Sequence, residues 1–289
     1  MGLMTSEFSS VASTERKLAF LGTGSMNGAV LRGILSSGHN PQAITATVRS
    51  ANREESLRTE TGVNVLVGEQ TPEANRLAVQ DAEIVFLGVK PVGIQDLCDE
   101  IRDSLAPHAV VVSVAAAITI AMMAGHLNPG QPIVRSMPNT PLMVGAGAVG
   151  LSAGETVSEA ALAEIVGLLS GSGVVHVVPE SQQNAVSAIS GSGPAYAFYL
   201  VEAMANAGVE LGLDPKLSMD LARATIAGAG KMLSDPNADP VAMRKAVTSP
   251  HGTTERAIAT FDAEELPKIM AKATAAAAAR AAQISAELA

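Results

Sequence analysis

Three stretches of this chain carry residue types whose spacing suits binding chemistry. In the last third, Thr248-Ser249-Pro250-His251-Gly252-Thr253-Thr254 places hydroxyls and a glycine directly ahead of a helical pattern that starts near Glu255. Free N–H groups, hydroxyls and the positive end of a helix dipole together form an anion site that needs no basic side chain. The competing reading is an ordinary helix cap by Ser249 or Thr253. Near the start, Gly22-Thr23-Gly24-Ser25-Met26-Asn27-Gly28 follows a short apolar run. Gly22 allows a tight turn and Gly24 lets the backbone approach a pyrophosphate. The helix that follows offers its first N–H groups, at Ser25 and Met26, to the phosphates. The third glycine of G-x-G-x-x-G would fall at position 27, which is Asn27, and Gly28 comes one residue late.

The third stretch decides between nucleotides. An acid at the end of the second strand holds the ribose 2′-hydroxyl of NADH. This chain has Val48-Arg49-Ser50-Ala51-Asn52-Arg53 there, and its first acids, Glu54 and Glu55, lie inside the next helix. Arg49 and Arg53 pair with a 2′-phosphate and Ser50 donates to it, which favours NADPH over NADH. The alternative is that Arg49 is a solvated loop charge. A fourth apolar run ends in Val89-Lys90-Pro91, which the carboxyl-end rule for open sheets puts near the nicotinamide half of the cofactor. Lys90 is there either a ribose or phosphate contact or a solvated lysine.

The elements that must position these residues follow from periodicity. Apolar runs at 17–21, 44–48, 63–67, 83–89, 109–115, 133–136 and 174–178 read as strands. Helical patterns at 25–37, 52–61, 73–80, 92–104 and 155–170 come between them. Buried runs alternating with helices predict an α/β Rossmann-type domain with a parallel-rich sheet over 17–179. From 180 onward the strand signal nearly vanishes. Helices are expected over 182–211, broken by Gly191, Gly193 and Pro194, then over 215–233 and 263–288. Residues 180–289 therefore read as an all-α domain. Its Ala-rich last helix has little bulk for a core of its own, so it is expected in a subunit interface. Residues 1–16 read as a disordered leader rather than a signal peptide.

Composition narrows the function classes. Among 289 residues, 47% are hydrophobic and 2% aromatic, so the core is expected to be aliphatic. A net charge of −9 with no basic run argues against nucleic acid as a partner. No apolar run is long enough to span a membrane, and a cytoplasmic protein is expected. The single cysteine, Cys98, reads as a core residue, and the five histidines lack ligand spacing, so no metal site is expected.

From about Lys17 to Leu288 the chain resembles the pyrroline-5-carboxylate reductases. The matching segments are Gly22-Thr23-Gly24-Ser25-Met26, Val89-Lys90-Pro91, Arg135-Ser136-Met137-Pro138-Asn139-Thr140-Pro141, Ser190-Gly191-Ser192-Gly193-Pro194-Ala195-Tyr196 and Val247-Thr248-Ser249-Pro250-His251-Gly252-Thr253-Thr254. The resemblance implies an oxidoreductase of proline biosynthesis. A hydride from NADPH (or NADH) goes to the imine carbon of 1-pyrroline-5-carboxylate and gives L-proline. It implies a homodimer through the C-terminal helices, with rings of five dimers, a decamer, in many members. It implies that Ser187 hydrogen-bonds the substrate nitrogen as the catalytic-site residue, and that Val247, Ser249, Gly252, Thr253 and Thr254 form the substrate-carboxylate loop. Asn75 matches a family asparagine near the adenosine side of the cofactor. Asn27 stands where the family has a small residue, and His251 where it has a glycine.

An imine is reduced more readily when its nitrogen is protonated, yet no His or Glu stands out as the donor. Most of the rate is expected from alignment and carboxylate binding. Tyr196 and Tyr199 are expected to pack in the core. One rival is another Rossmann imine or β-hydroxyacid reductase, which places a catalytic lysine on the first long helix of the second domain. This chain has no lysine between Glu180 and Leu213. The other rival is a non-catalytic NADP-sensing scaffold, against which the hydroxyl-rich loop argues.

Overall fold

The computed structural model describes residues 14–289. The leader expected over 1–16 therefore falls almost wholly outside the described residues. Arg16 is an exception: its guanidinium pairs with Glu83 and, at 2.6 Å, with Glu164. These carboxylates raise its already high pKa further, with the Glu164 bond the largest cause.

The chain forms eight strands: β1 Leu18–Leu21, β2 Ile44–Val48, β3 Asn64–Val67, β4 Ile84–Leu87, β5 Val110–Ser113, β6 Ile133–Met137, β7 Gly147–Ala153 and β8 Gly173–Val177. The first helices are α1 Ser25–Ser36, α2 Ala51–Thr61, α3 Ala74–Val79, α4 Ile94–Ile101, α5 Ile120–Ala124 and α6 Glu159–Ser170. After the sheet come α7 Gln183–Val186, α8 Gly193–Glu210, α9 Pro215–Met232, α10 Pro240–Ala246, α11 Thr253–Ala263 and α12 Leu266–Leu288. Residue contacts group these into two units. One takes in everything described up to Gly191 together with Ala277–Ala289, and the other is Ser192–Ala276.

In the first unit the strands lie in the order β3-β2-β1-β4-β5-β6-β7-β8. All neighbours are parallel except β6 and β7, where Val134 faces Ala153 and Met137 faces Gly150. The sequence reading missed β7. Its stretch Gly-Ala-Val-Gly-Leu-Ser-Ala has neither a β-branched run nor alternation, and its pairing with β6 and β8 makes it a strand. Successive strand residues point to opposite faces. Leu18 and Phe20 enter one buried cluster with Val30, Ile34 and Leu168, while Ala19 and Leu21 enter the other with Leu97, Cys98 and Ile101. Helix α4 forms because Ile94, Leu97, Cys98 and Ile101 recur at helical spacing and bury against that second cluster. Each such aliphatic side chain contributes about 1.5–3 kcal/mol of burial. The core is aliphatic as expected apart from Phe20 and Phe86, register partners whose rings stack at 4.6 Å in the middle of the sheet.

In the second unit α8 and α9 lie against each other through small residues. Ala205, Gly208, Ser218 and Ala222 are buried, and Ser218 Oγ donates to Ala205 O at 2.6 Å. Asp214 caps α9 by accepting from the N–H groups of Lys216 and Leu217. No residue of α10, α11 or α12 is buried. The core role expected for Tyr199 is not met within one chain, where it is 71% exposed, because α8 has no layer packed on that side. The helix expected from 263 starts instead at Leu266, since the chain breaks after α11 and Glu265 takes a φ of 55°. Among the described residues no helix is long and apolar enough to cross a membrane.

Candidate active site

β1 runs straight into Gly22, which turns with a φ of 67° and lies so close to Val89 that a Cβ would collide with it. Both the conformation and the proximity demand glycine. The turn is held from β2. Gly22 N–H donates to Thr47 Oγ1 at 3.0 Å and Thr23 N–H to Thr47 O at 2.9 Å. Gly24 and Ser25 are exposed and Met26 is half-buried. Gly24 is the N-cap of α1 and no side chain caps that end. The N–H groups of Ser25 and Met26 thus have no partner within the helix and sit at its positive pole. This cradle fits the pyrophosphate of a dinucleotide.

Asn27 explains how the cradle works without its third glycine. Its side chain is fully buried and turned away from the turn. The Nδ2 group donates to Leu21 O at 3.1 Å and to Phe86 O at 3.3 Å, tying the carboxyl ends of β1 and β4 together. The room comes from the facing strand, because a Cβ on Gly88 would run into the Asn27 side chain. A glycine on the helix usually permits this close approach of helix to strand. In this chain the glycine at the exit of β4 permits it instead. Nothing in the sequence near Asn27 announces the exchange, since Gly88 belongs to a different βα unit.

At the end of β2, Arg49 is exposed and Ser50 is half-buried as the N-cap of α2, with its hydroxyl not engaged in capping. Arg53, one turn into α2, reaches back to donate to Thr23 O at 3.2 Å, so the basic cluster and the glycine turn stand side by side. Asn75 connects to the same turn from behind. The Thr47 hydroxyl donates to Asn75 Oδ1 at 2.8 Å, and Asn75 Nδ2 donates to Glu100 at 3.0 Å. After β4, Val89 and Pro91 are half-buried and Lys90 is exposed.

Ser187 opens a π-helical turn, Ser187–Gly191, between α7 and α8. Pro194 accounts for the irregularity. It has no N–H for the carbonyl four residues back, Ser190. That carbonyl accepts instead from Asn139 Nδ2 at 3.1 Å, while Asn139 Oδ1 accepts from Ala148 N–H at 2.9 Å. Two segments singled out in the sequence, 135–141 and 190–196, therefore meet, and Asn139 is a site-building residue that sequence reasoning did not single out. A second tie holds the base of this region. Buried Arg135 pairs with Glu180 at 3.2 Å, and the same Glu180 oxygen accepts from Ile120 N–H at 2.8 Å.

The hydroxyl-rich loop belongs to the helical unit. Gly252 N–H donates to Ser249 O at 3.0 Å, closing a turn with Pro250 second and His251 third, where φ is 60°. That third place favours glycine. His251 is held there as its N–H donates to Glu255 Oε2 at 2.9 Å. The N-cap of α11 is Gly252, with no side-chain cap, so neither Ser249 nor Thr253 spends its hydroxyl on the helix end. Thr253, Thr254 and Glu255 present their N–H groups outward. Ser249, Thr253 and Val247 are exposed, and Gly252 and Thr254 half-buried.

A profile described as pyrroline-5-carboxylate reductase dimerisation matches residues 180–284, and one described as NADP oxidoreductase, coenzyme F420-dependent, matches 17–117. The chain is 36% identical to the pyrroline-5-carboxylate reductase of Pseudomonas aeruginosa, over 94% of this chain and 98% of that one. It superposes on the structure of a pyrroline-5-carboxylate reductase from Coxiella burnetii with a TM-score of 0.87 at 34% identity, covering 93% and 98% of the two chains. It shares the fold of Plasmodium falciparum pyrroline carboxylate reductase, solved with NADP bound, at a TM-score of 0.79, 23% identity and 93% and 98% coverage.

Proposed function

The chain belongs to the pyrroline-5-carboxylate reductase family, and from that premise we propose how its residues carry out the reduction of 1-pyrroline-5-carboxylate to L-proline with NADPH. The observation that carries the substrate half is the uncapped start of α11. Its N–H groups, with the hydroxyls of Ser249, Thr253 and Thr254, bind the substrate carboxylate without a lysine or arginine, and Val247 and Gly252 shape the loop. Ser187 holds the ring nitrogen and keeps a proton on it. A protonated imine is the better hydride acceptor, and the product amine retains that proton. The bound NADPH supplies the hydride that the ring carbon accepts. Gly22, Gly24, Ser25 and Met26 hold its pyrophosphate, Arg49, Ser50 and Arg53 its 2′-phosphate, and Asn75 its adenosine side. Val89, Lys90 and Pro91 flank the nicotinamide half. Charge complementarity with a phosphate and the lack of an acid at the end of β2 support NADPH over NADH.

The proposal includes a homodimer through the helical unit, to which the dimerisation profile corresponds. It extends to a ring of five dimers in the cytoplasm, which light scattering and cell fractionation check. The deciding experiment follows NADPH consumption with 1-pyrroline-5-carboxylate and identifies proline as product. Oxidation of NADPH without stoichiometric proline overturns the substrate; no oxidation overturns the reading entirely.

A further inference from the structure

We propose that Ser285, in the last turn of the chain's final helix, is a positioning residue for the loop at 114–119 on the nicotinamide side of the cofactor site. The inference rests on the proposed placement of NADPH along the carboxyl ends of β1 and β4.

After β5 the chain leaves the sheet at its carboxyl edge, directly beside the exit of β4. Val114 N–H donates to Leu87 O at 3.1 Å, so the loop begins next to the stretch that becomes Val89-Lys90-Pro91. The far end of the loop is fixed as well. Thr119 caps α5 by accepting from Met122 N–H, and Ile120 N–H is held by Glu180. Between these ends the backbone does something costly. Ala117 adopts a φ of 67° while only 5% exposed. An L-residue with a Cβ resists that region, and it persists only when surroundings impose it.

The surroundings come from the other end of the sequence. Ser285 Oγ donates to Ala117 O at 2.6 Å across 168 positions. A hydroxyl on a helix ordinarily bonds back to its own helix. Thr225, Thr260 and Thr274 do so, to Leu221 O, Arg256 O and Met270 O. Ser285 does not. The last turn that carries it is itself seated. Leu288 packs against the cluster that contains Ile118, and Leu288 O accepts from Gln95 Nε2 at 3.0 Å. Gln95 stands in the first turn of α4, just past Pro91. One helix turn thus grips the loop after β5 at Ala117 and, through Gln95, the first turn of the helix that follows the exit of β4, and at Ala117 it holds a backbone conformation that alanine alone would not choose.

The test compares full-length wild type with Ser285→Ala, Ser285→Thr, Ala117→Gly and the double variant Ala117→Gly/Ser285→Ala. Nucleotide binding is read from the fluorescence enhancement of NADPH itself, alongside KM for NADPH, KM for the imine and kcat. Ser285→Ala is expected to weaken NADPH binding and raise its KM several-fold, leave KM for the imine nearly unchanged, and alter the bound fluorescence. Ser285→Thr, which keeps the hydroxyl, restores wild-type values. Glycine accepts the left-handed backbone without strain, so removing the hydroxyl in the Ala117→Gly background is expected to cost clearly less. Unchanged NADPH constants in Ser285→Ala overturn the proposal, and so does a lower melting temperature or folded yield with per-site constants intact, since that is a purely structural role. Equal losses in Ser285→Ala and Ser285→Thr overturn it too. A wild type that does not bind NADPH overturns the cofactor reading and this inference with it; a wild type that binds beside an unchanged Ser285→Ala overturns this inference alone.

Discussion

The sheet unit and the helical unit solve opposite packing problems. Every strand from β1 to β5 except β3 is buried almost end to end, and helices close both faces over two aliphatic clusters. The helical unit buries almost nothing. Phe198 and Tyr199 on α8, Leu221 on α9, Phe261 on α11 and Ile269 on α12 are 48–71% exposed, and a groove between α8 and α9 is lined by Phe198, Val201, Met219 and Ala224. Large apolar residues left in water at this density mark a surface meant to be covered. In the proposed reading the first unit, with a core built from its own chain, takes the nucleotide, and the second carries the substrate loop on a scaffold whose apolar face is open within one chain.

The strongest way to break this comparison is to charge the open face. Phe198→Asp would leave an unpaired carboxylate in the interface, a cost of about 3–5 kcal/mol per site. Dimers are expected to fall apart in light scattering and activity to be lost, whereas Leu77→Asp, on an exposed position of the sheet unit, keeps the wild-type mass. A Phe198→Asp protein of unchanged mass and activity would remove the reason for calling the helical unit incomplete.

The next pair of substitutions asks whether nucleotide and substrate divide between the units. Arg49→Glu removes a phosphate partner and adds repulsion. KM for NADPH should rise by roughly two orders of magnitude, from charge-assisted bonds about twice as strong as neutral ones, while KM for NADH changes little. Equal losses for both nucleotides would show that Arg49 does not read the 2′-phosphate. Thr254→Val keeps shape and removes one donor to a charged group, worth about 1.5–3 kcal/mol, so kcat/KM for the imine should fall by roughly one to two orders of magnitude. NADPH affinity should hold, and a drop in it would place Thr254 on the nucleotide. The smallest effect concerns the closed core. Burial is the main force pushing the Cys98 thiol up to about 12, with Asp99 adding to it. Thiolate is the reactive form, so a maleimide at pH 8 should leave the native protein unlabelled and modify it fully once unfolded.

The same asymmetry governs what is legible in sequence. Fully buried strands such as Val110–Ser113 announce themselves by composition, because a core made within one chain leaves its periodicity in that chain. β7 does not, since Gly147 and Gly150 carry no side chain and its strand character comes from its neighbours. Tyr199 misleads for a related reason. Its apolar character is real, but among the described residues of the chain nothing packs over most of it. The Ala-rich helix is legible as a helix, while the return of Ala277–Ala289 to the sheet unit includes the hydrogen bonds at Ser285 and Leu288 and the packing of Leu288, which no local pattern signals. At the site, the glycine turn and the hydroxyl loop stand out by residue type. Thr47, Asn139 and Glu180 do not, because each works through a backbone group distant in sequence.

The exchange between Asn27 and Gly88 has a consequence for anyone redesigning this site. Volume there is conserved across an interface rather than at a position: what the helix gains, the strand has surrendered. Replacing Asn27 by glycine to restore the usual fingerprint would leave Leu21 O and Phe86 O without their shared donor and open a void beside a residue that has no side chain to fill it. Adding a methyl at Gly88 while Asn27 stays would wedge the two elements apart. Only coordinated changes keep the turn closed, so a library that varies either position alone samples mostly failures, and one that varies them together reaches the alternatives that pack.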